Sequence, residues 1–190
     1  PAELAAANVA GYLTASYAQD YAIRDCRKMR DLVASDWYQA RWPVALTRVG
    51  DSSIANTAGG GRDAVAFESM TSGRGDRVIL DDPNSVKTAE SDVERARAAR
   101  TFRESTTNRL NDPVKSAIVV IQQRLHEEDV SGIILKYRMP YVHLMLPMRF
   151  EPARACETPI GFRDPRTQEG ELLFPERFPR ETVDRVEAVM

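Results

Sequence analysis

The sequence has no strong excess of charge of either sign. Its 190 residues contain 26 Lys and Arg against 28 Asp and Glu, which gives a formal net charge of -2. Proteins that bind nucleic acid without sequence preference usually carry a clear basic excess, because much of their affinity comes from phosphate contacts. Any contact with nucleic acid would therefore depend on a local group of basic residues.

Cysteine and long apolar runs are scarce as well. Cys26 and Cys156 lie far apart and neither belongs to a CxxC motif, so they indicate neither a zinc site nor a disulfide framework, and a reducing cytosol is favoured. The longest aliphatic run, AIVVI at 117–121, is much shorter than the roughly 20 residues of a membrane helix. No signal segment opens the chain. We therefore expect a cytoplasmic protein with no membrane partner.

The remaining composition is that of a globular protein with a core. Hydrophobic residues make up 43% and charged residues 28% of the chain. Residues 1–150 are predicted to form an α/β core and residues 151–190 a peripheral arm or linker, because prolines concentrate in the second segment. The chain begins with proline and not methionine, from which we expect a processed or excised piece of a longer protein.

The apolar spacing predicts strands that alternate with helices. Strands are expected at YLTASY (12–17), RVIL (77–80), SAIVVI (116–121) and YVHLMLP (141–147), with helices over 19–34, over 92–109 and within DVSGIILKY (129–137). ALTRV (45–49) and DAVAFES (63–69) are predicted to flank a glycine-rich hairpin turn. This order favours an α/β fold with a mostly parallel sheet flanked by helices.

The most informative stretch is RVILDDPNS, at 77–85. Three bulky apolar residues are followed directly by Asp81 and Asp82, which places two carboxylates at the end of a buried strand. Ligands of open α/β sheets bind beyond the carboxyl ends of the strands, where such a pair suits Mg²⁺ and phosphate chemistry. On this stretch alone, the alternative that Asp82 before Pro83 only initiates a turn is favoured, because an apolar run followed by an acid is common.

A second apolar run is followed by IQQRLHEEDVSG, at 121–132. Gln122 and Gln123 at the tip of this strand could contact a terminal phosphate or its attacking water, although a solvated loop explains them as well. His126 is a poor candidate metal ligand, because His143 is the only other histidine and no cysteine lies at a suitable spacing.

Two other motifs have ordinary explanations. GGGR at 59–62 is not a phosphate loop, because GxxxxGK[ST] occurs nowhere in the 190 residues. A local basic patch is more typical of a solvated face than of a nucleic-acid track, since acids are interleaved with it. The patch consists of Arg95, Arg97, Arg100, Arg103 and Arg109.

Taken in order, these segments resemble one family, the large subunit of the tailed-bacteriophage terminase, an ATP-driven DNA-packaging motor. The resemblance spans nearly the whole chain. It is carried by YLTASYAQDYAIRDCRKMRDLVASDWYQ, ANTAGGGR, TSGRGDRVILDDP, TTNRLNDP, IVVIQQRLHEEDVSG, HLMLPMRFE and DPRTQEGELLFPERF.

The resemblance implies an incomplete P-loop NTPase-like fold with ATP and Mg²⁺ as cofactors. VILDD is similar to the Walker B strand, which gives Asp81 the Mg²⁺ role and Asp82 the position of the catalytic carboxylate. Gln123 matches the coupling motif, a position that is often threonine in relatives. The Arg, His and Asp that follow this motif in the family are matched, without assigned roles, by Arg124, His126 and Asp129.

The implied partners are double-stranded DNA, the portal protein, the terminase small subunit and further copies of the chain, at the portal vertex of a procapsid in the bacterial cytoplasm. The family's Walker A loop, which precedes a segment like YLTASY, and its nuclease domain are not in these 190 residues. We therefore expect this chain alone to be inactive as an ATP hydrolase.

Two other hypotheses remain open. The chain could be a non-catalytic α/β interaction module, such as a degenerate prophage remnant, or belong to a helicase-like or kinase-like ATPase unrelated to packaging.

Overall fold

The computed structural model describes residues 9–189. Contacts divide the chain into two compact units, Pro1–Tyr137 and Arg138–Met190. Within the described residues, no helix is both long and apolar enough to span a membrane.

The first unit contains a single six-stranded sheet. Its strands lie in the order β2-β3-β4-β1-β5-β6. They are β1 (Gly11–Ser16), β2 (Leu46–Val49), β3 (Ser53–Asn56), β4 (Gly61–Ala66), β5 (Arg77–Asp81) and β6 (Ala117–Ile121). The four strands β4, β1, β5 and β6 are parallel, while β3 is antiparallel to β2 and to β4. The predicted α/β class with a mostly parallel sheet is confirmed.

Five α-helices with described bounds accompany the sheet within residues 9–189. They are α1 (Gln19–Ala34), α2 (Asp36–Gln39), α3 (Val86–Ala89), α4 (Asp92–Thr101) and α5 (Val130–Lys136). The predicted helix over 92–109 is helical throughout, but it changes to a π-turn at Phe102–Thr106 and to a 3₁₀ turn at Thr107–Arg109. Ser91 caps its start by accepting a hydrogen bond from the Glu94 N–H.

Helix α1 covers part of one face of the sheet. Its buried residues Ala22 and Cys26 pack against Ile54 of β3 and Ala64 of β4. The spacing that predicted this helix therefore identified its buried stripe, because residues three and four apart share one face.

The opposite face of the two central strands is fully buried. Leu13 and Ala15 of β1 lie beside Val78 and Leu80 of β5, and none of these four side chains is more than 2% exposed. Burial of this kind explains the apolar character of RVIL, since at about 25 cal/mol per Å² each large aliphatic side chain contributes roughly 2 kcal/mol.

The glycine-rich segment forms a hairpin turn, as predicted, but the strand that immediately precedes this turn, β3, was not predicted. Strand β3 lies between the two predicted strands and pairs with both β2 and β4. Its sequence, SIAN, is short and has one large apolar residue, so it gives no strand signal. The other predicted strand ends at Ala66, because Phe67–Ser72 turns into a 3₁₀ helix that buries Phe67.

Strand β6 is less buried than its apolar sequence indicates. It pairs with β5, and no strand within residues 9–189 pairs with its other edge. Val119 and Ile121 are 41% and 55% exposed. The apolar run correctly predicted a strand parallel to β5, but as an edge strand it leaves one row of backbone groups and two large side chains uncovered.

The second unit is mostly irregular. It contains a 3₁₀ turn at Pro152–Arg154 and helix α6 (Arg180–Glu187). Its interior holds the Arg166 guanidinium, which pairs with Asp164 at 2.7 Å and donates hydrogen bonds to three backbone carbonyls. The buried charge is thereby fully hydrogen-bonded, as burial of an arginine requires.

The prediction of a strand at 141–147 is wrong. These residues form no strand, and Val142 and Leu144 are 60% and 47% exposed. Their alternation imitates a strand, but no neighbouring strand satisfies the backbone, and prolines at both ends remove donors that a strand would need.

Candidate functional site

The carboxyl end of β5 carries both predicted carboxylates. Asp81 is the last residue of the strand and lies opposite Ser16 of β1 and Ile121 of β6 in the parallel register. Three strand ends therefore meet around Asp81, at the edge of the sheet where open α/β proteins bind ligands.

Asp82 connects these strand ends. Its N–H donates to the Ile121 carbonyl oxygen at 2.9 Å, and its own carbonyl oxygen accepts from the Tyr17 N–H at 3.1 Å. Its φ of 46° lies in the left-handed region, which costs a non-glycine residue about 1 kcal/mol. The surrounding hydrogen bonds hold Asp82 in a conformation that the residue alone would rarely adopt.

Gln123 lies beside Asp82, although 41 positions separate them. The Gln123 N–H donates to the Asp82 carboxylate at 3.2 Å. The two residues are close because β5 and β6 are parallel and end at the same edge of the sheet. The contact uses the Gln123 backbone, and the residue itself is exposed.

The preceding residue, Gln122, has a buried side-chain amide. Neither its Nε2 nor its Oε1 has a hydrogen-bond partner among residues 9–189. An unsatisfied buried amide costs about 1–3 kcal/mol, so this loop carries a polar group that the described residues do not satisfy.

A shallow hollow lies on the α1 side of the strand ends. It is lined by Thr14, Ala15, Ser16, Ala22, Asp25, Arg62 and Asp81, while Asp82 and Gln123 are not among its lining residues. The Arg62 side chain is held in place because its Nε donates to Thr14 Oγ1 at 2.9 Å and one terminal nitrogen donates to the Asp25 carbonyl oxygen at 3.3 Å.

Opposing charges act on the Asp81 carboxylate. Loss of hydration raises its pKa, the neighbouring carboxylates of Asp82 and Asp25 raise it further, and the guanidinium groups of Arg24 and Arg62 lower it. The residue is exposed by surface area, but its carboxylate makes no hydrogen bond or ion pair with the described residues. Asp81 is thus a carboxylate at a strand end whose ionised form the folded chain disfavours.

The loop after β6 is organised by Asp129, which is fully buried. Its Oδ2 accepts from the N–H groups of Leu125 and His126 at 3.0 and 3.3 Å and from Arg124 Nε at 3.1 Å. Its Oδ1 accepts from the Gly132 N–H at 2.7 Å. Arg124, His126 and Asp129 are therefore brought together, and in this chain their contacts fix the shape of the loop.

Asn84 links the loop after β5 to helix α5. It is 2% exposed, and its Oδ1 accepts from the Val130 N–H at 3.1 Å. The sequence suggested only a turn here, since Asn after Pro is typical of turns. Asp25 and Arg62 were missed for a different reason: each lies far along the chain from the carboxylates.

The donor set at the strand end suits magnesium. Mg²⁺ is commonly held by one or two carboxylates together with water and substrate phosphates, and Asp81 with Asp82 supplies two carboxylates. Among residues 9–189, no group of three or more His, Cys, Asp or Glu residues is arranged to hold a metal ion.

The arginine patch is mostly engaged within the chain. Arg95 is buried and donates to the Ala89 carbonyl oxygen at 2.6 Å, which corrects its expected place on a solvated face. Arg97 pairs with Glu68 at 3.0 Å, and Arg109 donates to the Thr71 carbonyl oxygen. These contacts agree with a structural role for the patch.

A scan against protein-family models and a search of curated proteins returned no match to this chain.

Proposed function

We propose that this chain is a segment of a terminase large subunit, which couples ATP hydrolysis to the translocation of double-stranded DNA into a procapsid. The observation that carries the proposal is the meeting of Asp81, Asp82 and the Gln123 backbone at the carboxyl ends of two parallel strands. The resemblance of the sequence to this family requires that adjacency.

The chemistry assigned to the carboxylates follows from their positions. Asp81 would hold Mg²⁺, which when bound neutralises charge on the transferring phosphoryl group. Asp82, one residue beyond the strand and fixed from three sides, would orient and deprotonate the attacking water. Gln123 would sense the terminal phosphate and report it to the loop that Asp129 organises.

The uncovered edge of β6 supports an incomplete P-loop NTPase-like fold. A further parallel strand on this edge would cover Val119 and Ile121 and would end beside Gln123. A phosphate loop that follows such a strand would lie next to the two carboxylates and to the unsatisfied Gln122 amide. The family's Walker A loop meets this description.

The remaining parts of the proposal rest on the family resemblance. We propose double-stranded DNA, the portal protein, the terminase small subunit and further copies of the chain as partners, at a procapsid in the bacterial cytoplasm. Residues 151–190 would form the proline-rich arm toward the nuclease domain, and residues 1–150 the partial ATPase core.

A non-catalytic interaction module is the second candidate. It is favoured by the contact between the Asp82 carboxylate and the Gln123 N–H, which gives this acid a structural use. Under this hypothesis both acids serve only to end a strand and shape the adjoining loop.

ATP hydrolysis separates the two candidates. We expect no Mg²⁺-dependent hydrolysis by the 190-residue chain, because a phosphate loop is missing from its sequence. A longer product, expressed with the codons that precede Pro1, should hydrolyse ATP. In that product Asp82→Asn should reduce kcat by at least about 100-fold and spare nucleotide binding, since loss of a general base costs roughly this factor.

The matched control is Asp31→Asn, which removes an exposed carboxylate that pairs with Arg30. It should leave kcat unchanged. An active Asp82→Asn variant would exclude this residue from the mechanism, and a longer product that lacks GxxxxGK[ST] and hydrolyses nothing would favour the interaction module. Gln123→Ala should lower the DNA packaged per ATP consumed while nucleotide binding persists.

A further inference from the structure

Helix α5 receives a hydrogen bond at its start from a distant part of the chain. The first N–H groups of a helix have no partner within the helix and must be satisfied by other groups. Asp129, the residue before the helix, accepts from the Gly132 N–H, whereas the Val130 N–H is accepted by Asn84, which lies 46 positions earlier. Two side chains from two different loops therefore cap one helix.

The same two loops are joined a second time at Asp82. The Asp82 carboxylate accepts from the Gln123 N–H in the loop after β6. Asp82 and Asn84 are separated only by Pro83, which is buried and whose ring fixes φ. Because Pro83 restricts the backbone between them, a movement of Asp82 is expected to move Asn84 as well.

We propose that Asn84 is a positioning residue that couples Asp82 to the start of helix α5. With the Asn84 contact intact, the loop after β5, the tip of β6 and the first turn of α5 open together. Without it, opening of the loop after β5 no longer accompanies opening of the first turn of α5. The coupling is a property of the folded chain, and only its use in converting hydrolysis into movement rests on the proposed function.

Amide hydrogen exchange in the 190-residue chain tests the coupling without nucleotide. NMR would report exchange of the Val130 N–H and, by transfer of water saturation, of the faster Gln123 N–H. Asn84→Ala should raise exchange at Val130 about tenfold, as expected for loss of one buried hydrogen bond. It should also raise exchange at Gln123 at least threefold, although the two amides do not share a partner.

The reciprocal change completes a double-mutant cycle. Asp82→Ala should raise exchange at Gln123 and, through Asn84, at Val130, because a coupling between two sites acts equally in both directions. In the double variant the combined effect should be smaller than the product of the single effects. Asn84→Asp keeps an oxygen acceptor and should restore slow exchange at both amides.

Ser91→Ala serves as the matched control, since it removes a side-chain cap from another helix, α4. Exchange at Val130 and Gln123 should not change in this variant. The proposal is overturned if Asn84→Ala affects Val130 alone or if the double variant equals the product of the singles. Should Asn84→Ala fail to fold, Asp82→Ala decides, because unchanged exchange at Val130 in that variant contradicts the coupling.

ATP hydrolysis by the longer product does not enter this test. An inactive longer product whose amides remain coupled would refute the proposed function and leave the coupling standing. A longer product that hydrolyses ATP but whose amides are uncoupled would support the proposed function and refute the coupling.

Discussion

Replacement of Asp129 by alanine should destabilise the first unit strongly. The carboxylate is fully buried, and it accepts hydrogen bonds from three backbone N–H groups and from Arg124. After truncation the Gly132 N–H is left buried without a partner, which costs about 2 kcal/mol, and the two half-buried N–H groups add roughly 0.5 kcal/mol each. Arg124 is exposed enough for water to replace its contact.

These contributions predict a loss of about 3 kcal/mol in the free energy of unfolding. For a chain of this size, that loss lowers Tm by about 6–12 °C. Both tryptophans, Trp37 and Trp42, belong to the first unit, so tryptophan fluorescence during urea unfolding reports the unit that contains Asp129. Asp129→Asn should lower the free energy of unfolding by about half as much as Asp129→Ala, because one acceptor oxygen remains.

Asp112→Ala is the control for this measurement. Its carboxylate also accepts from two backbone N–H groups, those of Val114 and Lys115, but at a more exposed turn. Because water can satisfy the freed groups, the loss should stay below about 1 kcal/mol. If Asp129→Ala lowered the free energy of unfolding no more than Asp112→Ala does, the loop at 124–129 would not depend on the buried carboxylate, and this reasoning would be refuted.

Two further substitutions test the packing and the electrostatics near the site. Gly132→Ala should lower the free energy of unfolding, measured in urea, by more than about 2 kcal/mol, because an added Cβ would lie 1.9 Å from the Glu127 carbonyl oxygen. Gly11→Ala is the control: its Cβ would meet only atoms at 3.5 Å or more, so the free energy of unfolding should change little. Asp81→Asn should stabilise the chain near neutral pH. The folded state raises the pKa of Asp81, so above this pKa the ionised carboxylate destabilises the fold. The stability gained by the amide should therefore disappear as the pH falls through the folded-state pKa of Asp81. An Asp81→Asn variant that is less stable at neutral pH would contradict this assignment.

The parallel pair β5 and β6 could be predicted from the sequence because two signals agreed. Each run is apolar and rich in β-branched residues, and the segment between them is long enough for a helical crossover. Where the signals disagreed, prediction failed. The residues 53–56 form a strand with one large apolar residue, and 141–147 alternate without forming one, because pairing partners decide both cases and are not visible locally.

The site could be predicted only as far as strand ends determine it. The rule that parallel strands end at one edge suggested Asp81, Asp82 and the two glutamines, and the family resemblance singled out Gln123. The Gln123 backbone does contact the Asp82 carboxylate. Asn84 and Arg62 act through contacts 46 and 48 positions away, with Val130 and Thr14. No local pattern specifies such pairs, since they depend on the register between elements.

The two carboxylates Asp81 and Asp129 differ in a way that favours phosphate chemistry over a purely structural site. Every oxygen of Asp129 is used by a donor of the chain, and the residue is buried, as a structural acid should be. The Asp81 carboxylate has no such donors among residues 9–189, and its pKa is raised by lost hydration and by two neighbouring acids. A chain that needed Asp81 only to end a strand would be more stable with an amide at this position. A charge that the fold disfavours is typical of residues whose partner is a ligand, because stability is commonly sacrificed at such sites. A divalent cation beside Asp81 would stabilise its ionised carboxylate, which is why we propose the metal for this residue and the water for its neighbour.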